Sequence, residues 1–565
     1  AYVHKLLTGR QDFTHLRERD GLSGYPARSE SVHDVVENSH ASTSLSWADG
    51  IARANHLQGH EDCHVVAVIG DGALTGGMAW EALDNIADSS DKHLVIVVND
   101  NGRSYAPTIG GLAHHLDALR TNPGYERMLA GVKRTLLTQG APGRAAFDAL
   151  HGLKRGLKDV LVPSAFFEDL GIKYTGPVDG HDETALEFAL TRAREYADPV
   201  IVHVITEKGR GYTPAEEDVV DRFHAVGRIH PETGLPIVPS RFGWTSVFAE
   251  EILELARADE RIVAVTAAMQ QPVGLQPMAD ALPDRVIDVG IAEQHALTAS
   301  AGMAFAGLHP VVALYATFLN RAFDQVLMDV GLHHAGVTIV LDRAGLTGTD
   351  GASHNGMWDM ALLAHVPGLR LAAPRDETTL REDLRTAAAT SDGPTVLRYP
   401  KGALPERAPA LRVMGPPNDP FEAVDVLMEA DDDGPGERRL VLVAVGAMTP
   451  AVLAAGRDLA DEGRAVAVVA PRWVVPIPRA LVETARSFDG VVVVEDGLVD
   501  GGIGSQLRDA LEDNAAETCR RRPVVARVGV PRRFLGTASR KQLLADFGMD
   551  TEGIAATARR LLSAV

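Results

Sequence analysis

Short runs rich in Val and Ile, mostly continuous rather than alternating with polar residues, recur along this chain between stretches of helical periodicity, and that pattern constrains the fold more than any other feature. The runs are His64–Ile69, Leu94–Val98, Val200–Ile205, Ile262–Thr266, Val286–Val289, Val311–Tyr315, Val337–Leu341, Leu440–Val445, Ala465–Val469, Val491–Glu495 and Val524–Val528. A strand with one wet face alternates polar and apolar residues, whereas a strand covered by helices on both faces does not. Repeated β–α units of this kind predict an α/β chain of three doubly wound, mostly parallel-sheet domains. At 565 residues the chain exceeds what one core usually serves. Boundaries are expected where Pro and Gly accumulate without periodicity: from Arg222 to Phe242, and from Pro405 to Pro420, with an acidic Gly-Pro turn in Glu429–Glu437. The expected blocks are therefore 1–240, 241–415 and 416–565. Residues from Tyr105 to Ser164 read as a helical, Gly-interrupted insertion, either a lid or a decorated connection.

Charge and cysteine usage narrow the function classes. A formal net charge of −21 argues against nucleic acid or an anionic membrane as the main partner. No apolar run approaches the roughly 20 residues that span a bilayer, and no signal peptide is visible. Cys63 and Cys519 are the only cysteines, which excludes a disulfide framework and fits a reduced, cytoplasmic protein. The chain opens on Ala1-Tyr2-Val3-His4-Lys5, which reads as the middle of an element, so a preceding segment is expected.

The first candidate site is a carboxylate inside a glycine turn. The run ending at Ile69 leads into Gly70-Asp71-Gly72-Ala73-Leu74-Thr75-Gly76-Gly77, then a helical pattern from about Met78 to Asp88. Strand, glycine turn and helix N-terminus are a common diphosphate cradle. The glycines do not fit G-x-G-x-x-G, and Asp71 would repel a bare diphosphate. A cation between them removes the repulsion, and Mg²⁺ commonly combines one or two protein oxygens with phosphate oxygens and water. The next run ends in Asn99-Asp100-Asn101, where a neighbouring parallel strand would bring a second ligand to the same crevice. Upstream, Ser39-His40-Ala41-Ser42-Thr43-Ser44 precedes a helix of small residues, and Ser42 or Thr43 would serve as its N-cap.

A second candidate site follows the Val286 run, in Ala292-Glu293-Gln294-His295 at the start of another small-residue helix. An acidic residue there also simply suits a helix N-terminus. Further polar groups cluster after the later strands: Tyr315, Phe318 and Arg321, then Asp342-Arg343, Asp350-Gly351-Ala352-Ser353-His354, and Arg398. Arginines at strand ends would suit a phosphorylated ligand. Gly501-Gly502-Ile503-Gly504-Ser505 resembles a phosphate loop but lacks its Lys-Ser/Thr, and reads as a structural helix start.

Taken together, Gly70-Asp71-Gly72 with Asn99-Asp100-Asn101, Ile291-Ala292-Glu293-Gln294-His295, Phe223-His224-Ala225 and Asp350-Gly351-Ala352-Ser353-His354 resemble the 1-deoxy-D-xylulose-5-phosphate synthase family of transketolase-like enzymes, in order and throughout the chain. The resemblance implies thiamine diphosphate and Mg²⁺ as cofactors. The metal would be held by Asp71, Asn101 and the backbone carbonyl of Arg103. Ser39, His40, Ala41, Gly72, Ala73, Asn101, Tyr212, Glu293 and Phe318 would contact the cofactor. Glu293 would hydrogen-bond its aminopyrimidine and, with a pKa raised by burial, move protons there. Arg343 and Arg398 would hold the aldehyde's phosphate, with Tyr315 and Arg321 nearby. His224, His354 and Asp350 would handle substrate protons or the pyruvate carboxylate.

The implied reaction condenses pyruvate with D-glyceraldehyde 3-phosphate, releasing CO₂, at the start of the non-mevalonate isoprenoid route and toward thiamine and pyridoxal precursors. The family is homodimeric, and its last domain mainly supports dimerisation. Before the position of Ala1 it carries a His in a Ser-Gly-His segment and another in Gly-His-Gln, both expected at the active site. Other readings are a transketolase, a truncated and catalytically silent thiamine-diphosphate-binding protein, and, least favoured by Asp71, a dinucleotide oxidoreductase.

Overall fold

The computed structural model describes residues 1–60, 62–88, 92–105, 107–111, 167, 170–224, 226–238, 242–430, 438–513 and 522–564. The expected insertion from Tyr105 to Ser164 lies almost wholly outside these residues, as do Ala225 and Cys519. Two compact units result: a smaller one of His40–Pro239 with Asp288–Ala292, and a larger one of Ala1–Ser39, Ser240–Ile287 and Glu293–Val565.

The smaller unit holds β1 (Val65–Gly70), β2 (Leu94–Asp100), β3 (Lys173–Asp179) and β4 (Val200–Ile205), in the order β1-β2-β4-β3 and all parallel. The helices Ser44–Leu57 and Gly77–Ala87 bury Leu45, Ala48, Leu83 and Ile86 against Ile69 and Ile96. Burying each Leu or Ile side chain stabilises by roughly 1.5–3 kcal/mol. Strand β3 is absent from the apolar runs because Gly176-Pro177 interrupts it. It takes a sheet edge, where a missing N–H is tolerated, and its register with β4 shifts between Thr175 and Val178.

The larger unit contains two sheets. Strands β5 (Ile262–Thr266), β6 (Val286–Asp288), β7 (His309–Tyr315), β8 (Thr338–Asp342), β9 (Arg370–Ala372) and β10 (Thr395–Arg398) belong to the first. Strands β11 (Arg412–Met414), β12 (Val424–Met428), β13 (Leu440–Ala444), β14 (Val466–Pro471), β15 (Trp473–Val475), β16 (Gly490–Leu498) and β17 (Val524–Val530) follow. The seven-stranded sheet runs β15-β9-β10-β8-β7-β5-β6 and the six-stranded sheet β11-β12-β14-β13-β16-β17. Every residue of β5, β7, β8, β13 and β16 is buried, which is why these strands read as continuous apolar runs.

The antiparallel pairings lie at or near the edges: β15 on β9, β11 on β12, and β12 on β14. The mostly parallel α/β class expected from the sequence is therefore the observed one. Strand β15 follows β14 in the chain yet closes the other sheet, pairing Trp473 with Ala372. The core around β13, β14 and β16 also takes in Leu346 and Met357, which belong to a loop of the seven-stranded sheet.

Candidate active site

In the smaller unit, β1 and β2 are parallel neighbours with Gly70 opposite Asn99, so both chains leave the sheet at one end. That register is what brings Asp71 to Asn101. The Asp71 N–H donates to the Asn99 carbonyl (3.2 Å), and Asp71 Oδ1 accepts the Asn101 N–H (3.3 Å). The Thr108 hydroxyl donates to Asp71 Oδ2. Burial raises the Asp71 carboxyl above its usual range, while the Thr108 and Asn101 hydrogen bonds oppose the rise. Its donors are neutral and Asp100 adds a like charge, so a cation would offset the electrostatic cost. Among the described residues no group of three or more His, Cys, Asp and Glu could hold a metal ion. One carboxylate and one amide oxygen fit Mg²⁺ only when a ligand supplies further oxygens, as a diphosphate would.

The turn behind this pair is tightly built. Gly72 lies so close to Ser104 that an added Cβ would sit 3.0 Å from the serine Cβ. Ser42 Oγ donates to the Ala73 carbonyl (2.7 Å), just after Ser39-His40-Ala41. Thr75 Oγ1 donates to the Gly72 carbonyl (2.6 Å) and accepts the Ile291 N–H (2.9 Å). Asn101 Oδ1 accepts the Arg103 N–H (3.2 Å), and the Arg103 guanidinium reaches the Val220 carbonyl (2.7 Å). The buried His203 holds Asp100 (3.0 Å) and meets the Tyr174 hydroxyl (2.7 Å), bracing the loop from beneath.

His224 stands beside a residue to which the sequence reading gave no role. Lys208 Nζ lies 2.7 Å from His224 Nδ1 and also donates to the Ser104 carbonyl. The Tyr105 ring is tilted against the imidazole, with centroids 4.0 Å apart, and His224 as a whole is exposed. Lost hydration and the Lys208 charge push His224 down to about 4. Burial lowers Lys208 to about 8, with Asp221 opposing and Arg103 adding. The Tyr212 hydroxyl donates to the Pro231 carbonyl (2.7 Å), and its ring meets Phe223 edge-on.

In the larger unit, Glu293 opens the helix Glu293–Phe305 and is 4% exposed. Its Oε2 has no hydrogen-bond partner among the described residues, and the nearest cation, Arg321, stays 3.8 Å away. Burial raises its pKa and Arg321 only partly offsets this. A buried carboxylate oxygen without a partner is costly, so the position fits a ligand carrying a donor or a shared proton.

Around Asp350 the structure gathers more charge than the sequence reading anticipated. Lys401 lies 2.9 Å from its carboxylate, Arg17 3.3 Å and Arg343 3.6 Å. Burial alone would raise Asp350; Lys401, Arg343 and His354 overcome it and hold the carboxyl below its usual range. Arg343 also lies over the Tyr315 ring (4.1 Å) at a positive φ of 58°, a strained backbone for a non-glycine residue. His354 is stacked on Tyr25 (4.9 Å) and meets Phe318 edge-on (5.7 Å), and Phe318 stacks on Tyr315 (5.9 Å). Ser39 Oγ lies 3.3 Å from His354 Nδ1. Tyr315, Phe318, Arg343, Asp350 and His354 are thus brought together. Arg17, Tyr25 and Lys401 join them from segments that carry no motif.

Arg398 is placed differently. It is 4% exposed, its Nε donates to Asp359 (2.6 Å) and its Nη2 to the Asp496 carbonyl (2.8 Å). The glycine-rich loop at Gly501 proves internal: Glu495 Oε2 and Oε1 accept the Ile503 and Gly504 N–H groups (2.7 and 2.9 Å). A protein carboxylate therefore occupies the position where a phosphate would sit, as the structural reading of that loop requires.

Comparison with known proteins gives three family profiles along the chain. They are described as 1-deoxy-D-xylulose-5-phosphate synthase (residues 1–206), transketolase pyrimidine binding domain (240–407) and transketolase C-terminal domain (430–554). A protein of Streptomyces coelicolor named 1-deoxy-D-xylulose-5-phosphate synthase 2 is 58% identical over 98% of this chain and 84% of its own length. One of the same name from Kitasatospora griseola is 57% identical over 100% of this chain and 87% of its own. A 1-deoxy-D-xylulose-5-phosphate synthase of Renibacterium salmoninarum is 56% identical over 98% and 84%.

Proposed function

The chain belongs to the 1-deoxy-D-xylulose-5-phosphate synthase family, and from that premise we propose that it condenses pyruvate with D-glyceraldehyde 3-phosphate to 1-deoxy-D-xylulose 5-phosphate and CO₂. It is a thiamine-diphosphate-dependent transferase of the transketolase-like class. The observation that carries the mechanism is Glu293, buried with an unsatisfied Oε2 at the start of its helix.

When bound, thiamine diphosphate supplies the electron sink that lets pyruvate lose CO₂. Asp71 and Asn101 would hold Mg²⁺ through side chains and Arg103 through its carbonyl. Gly72 and Ala73 would lie along the diphosphate, and Ser39, His40, Ala41, Tyr212 and Phe318 would complete the cofactor contacts. Glu293, with its raised pKa, holds or releases a proton at the aminopyrimidine. Arg343, Arg321 and Tyr315 face the phospho-aldehyde. Arg398 contributes its Nη1, which is not used by the Asp359 and Asp496 bonds. Neutral His224, with His354 and Asp350, moves protons or meets the pyruvate carboxylate. In this reading 1–240 is the diphosphate and Mg²⁺ domain, 241–415 the pyrimidine domain and 416–565 the transketolase-type C-terminal domain. The protein works as a homodimer in the cytoplasm; no helix among the described residues is long and apolar enough to cross a membrane.

The test is CO₂ release from pyruvate with thiamine diphosphate and Mg²⁺, with and without D-glyceraldehyde 3-phosphate. Release that requires the aldehyde, with deoxyxylulose phosphate formed, is expected. Ketol transfer between sugar phosphates without CO₂ would replace the proposal with transketolase chemistry.

A further inference from the structure

The loop from Gly345 to Gly356 carries Asp350, Ser353 and His354, but its anchors lie in the C-terminal block. Leu346 and Met357 are both 0% exposed and pack in the core with Leu535, Ala538 and Leu543. The Leu346 N–H donates to Asp496 Oδ1 (3.1 Å), and the Leu346 carbonyl accepts from Arg540 Nη1 (2.7 Å). Arg540 Nη2 pairs with the other oxygen of Asp496. One loop residue is thus gripped on both sides of its backbone by a buried aspartate and the arginine paired to it.

The approach is too close for ordinary side chains. Gly345 and Gly348 have φ of 72° and 79°. A Cβ on Gly345 would clash with the Asp496 carboxylate, and one on Gly348 would lie 2.6 Å from the Arg540 nitrogen. Asn355 closes the loop from within, accepting the Thr347 N–H (3.0 Å) and donating to the Gly351 carbonyl (3.1 Å). The Asp496 carbonyl also accepts Arg398 Nη2 (2.8 Å). A single residue of β16 therefore touches the loop bearing His354 and the arginine assigned to the phosphate.

We propose that Asp496 and Arg540 are positioning residues for the phospho-aldehyde half of the site, so that the C-terminal block sets aldehyde affinity as well as supporting a dimer. This rests on the assignment of Arg343 and Arg398 to the aldehyde's phosphate: Arg343 directly precedes the loop and pairs with its Asp350 (3.6 Å), and Arg398 is bonded to Asp496. A loop held by charge-assisted hydrogen bonds in a buried setting keeps its polar groups in one arrangement, and its release spreads them over many.

The experiment compares Arg540→Gln, Arg540→Lys and Asp496→Asn with the parent in the full chain, by steady-state kinetics and by hydrogen exchange of the 345–356 amides. Arg540→Gln is expected to raise KM for D-glyceraldehyde 3-phosphate about tenfold, the equivalent of one charge-assisted hydrogen bond, with a smaller change in KM for pyruvate. Arg540→Lys keeps the ion pair with Asp496 and should recover part of that loss. An unchanged aldehyde KM, or an equal rise in both KM values together with a lower Tm, overturns the proposal. If the parent makes no deoxyxylulose phosphate, the functional reading fails by itself. Hydrogen exchange still decides on the clamp: faster exchange confined to 345–356 in Arg540→Gln supports it, and unchanged exchange refutes it.

Discussion

Lys208 Nζ lies 2.7 Å from His224 Nδ1, so the imidazole accepts from an ammonium and is held neutral in the tautomer protonated at Nε2. With its folded pKa near 4 against an ordinary 6.5, His224 is uncharged across the neutral range. Between these values the unfolded chain binds the proton and the folded chain does not. The His224 contribution to stability is therefore present above about 6.5 and is lost as pH falls toward 4. Lys208→Met should move the His224 pKa up toward its ordinary value, read from the imidazole C–H chemical shifts during an NMR titration. A His224 pKa that stays where it was would show that lost hydration alone sets it.

Glu293→Gln removes the titrating oxygen from a pocket that disfavours charge. Turnover should fall by about 10²–10⁴-fold, the usual contribution of a positioned acid–base group. Thermal stability should hold or rise, because a buried carboxylate with an unpaired Oε2 becomes a neutral amide. Rate assays beside a melting curve check both halves, and a fall in both would point to a structural role.

Asp71→Asn keeps the shape of the turn and one of its two accepting oxygens but removes the charge that a cation requires. The Mg²⁺ concentration for half-maximal thiamine diphosphate binding should rise at least tenfold, within the range for losing a carboxylate–metal contact. Calorimetric titration of the cofactor at several Mg²⁺ concentrations measures it.

Arg343→Ala removes the guanidinium over Tyr315 and beside Asp350. The kcat/KM for D-glyceraldehyde 3-phosphate should drop by roughly 10–100-fold, as expected for a lost charged hydrogen bond, while unphosphorylated glyceraldehyde is used as before. Equal losses on both aldehydes would remove phosphate recognition from its role.

The buried strands were legible because burial on two faces leaves an unmistakable apolar signature, and β5, β7 and β8 carry it, whereas β1 reads the same in sequence although Val66 and Val68 are exposed. The Asp71–Asn101 pairing followed from parallel register, a rule that needs no long-range information. Lys401, Arg17 and Tyr25 could not be placed, because nothing in their local sequence reports that they converge on Asp350 and His354. Lys208 stood in plain view beside Tyr212, and its role appears only when the chain brings His224 to it. Arg398 was found by motif, but its engagement with Asp359 and Asp496 is a tertiary fact. Strands such as β9, β11 and β15 are three residues long, too short to show any period.

Strand β15 makes the pyrimidine and C-terminal blocks inseparable as pieces of chain. A fragment ending near residue 415 would leave the β9 edge with open N–H and C=O groups beside buried apolar residues, a template for strand-to-strand association. A fragment beginning there would carry Trp473, Val474 and Val475 with their partner sheet removed. Recombining these blocks between relatives therefore has to respect a seam that the order of the sequence does not follow: residues 473–475 have to match the β9 edge of the other block.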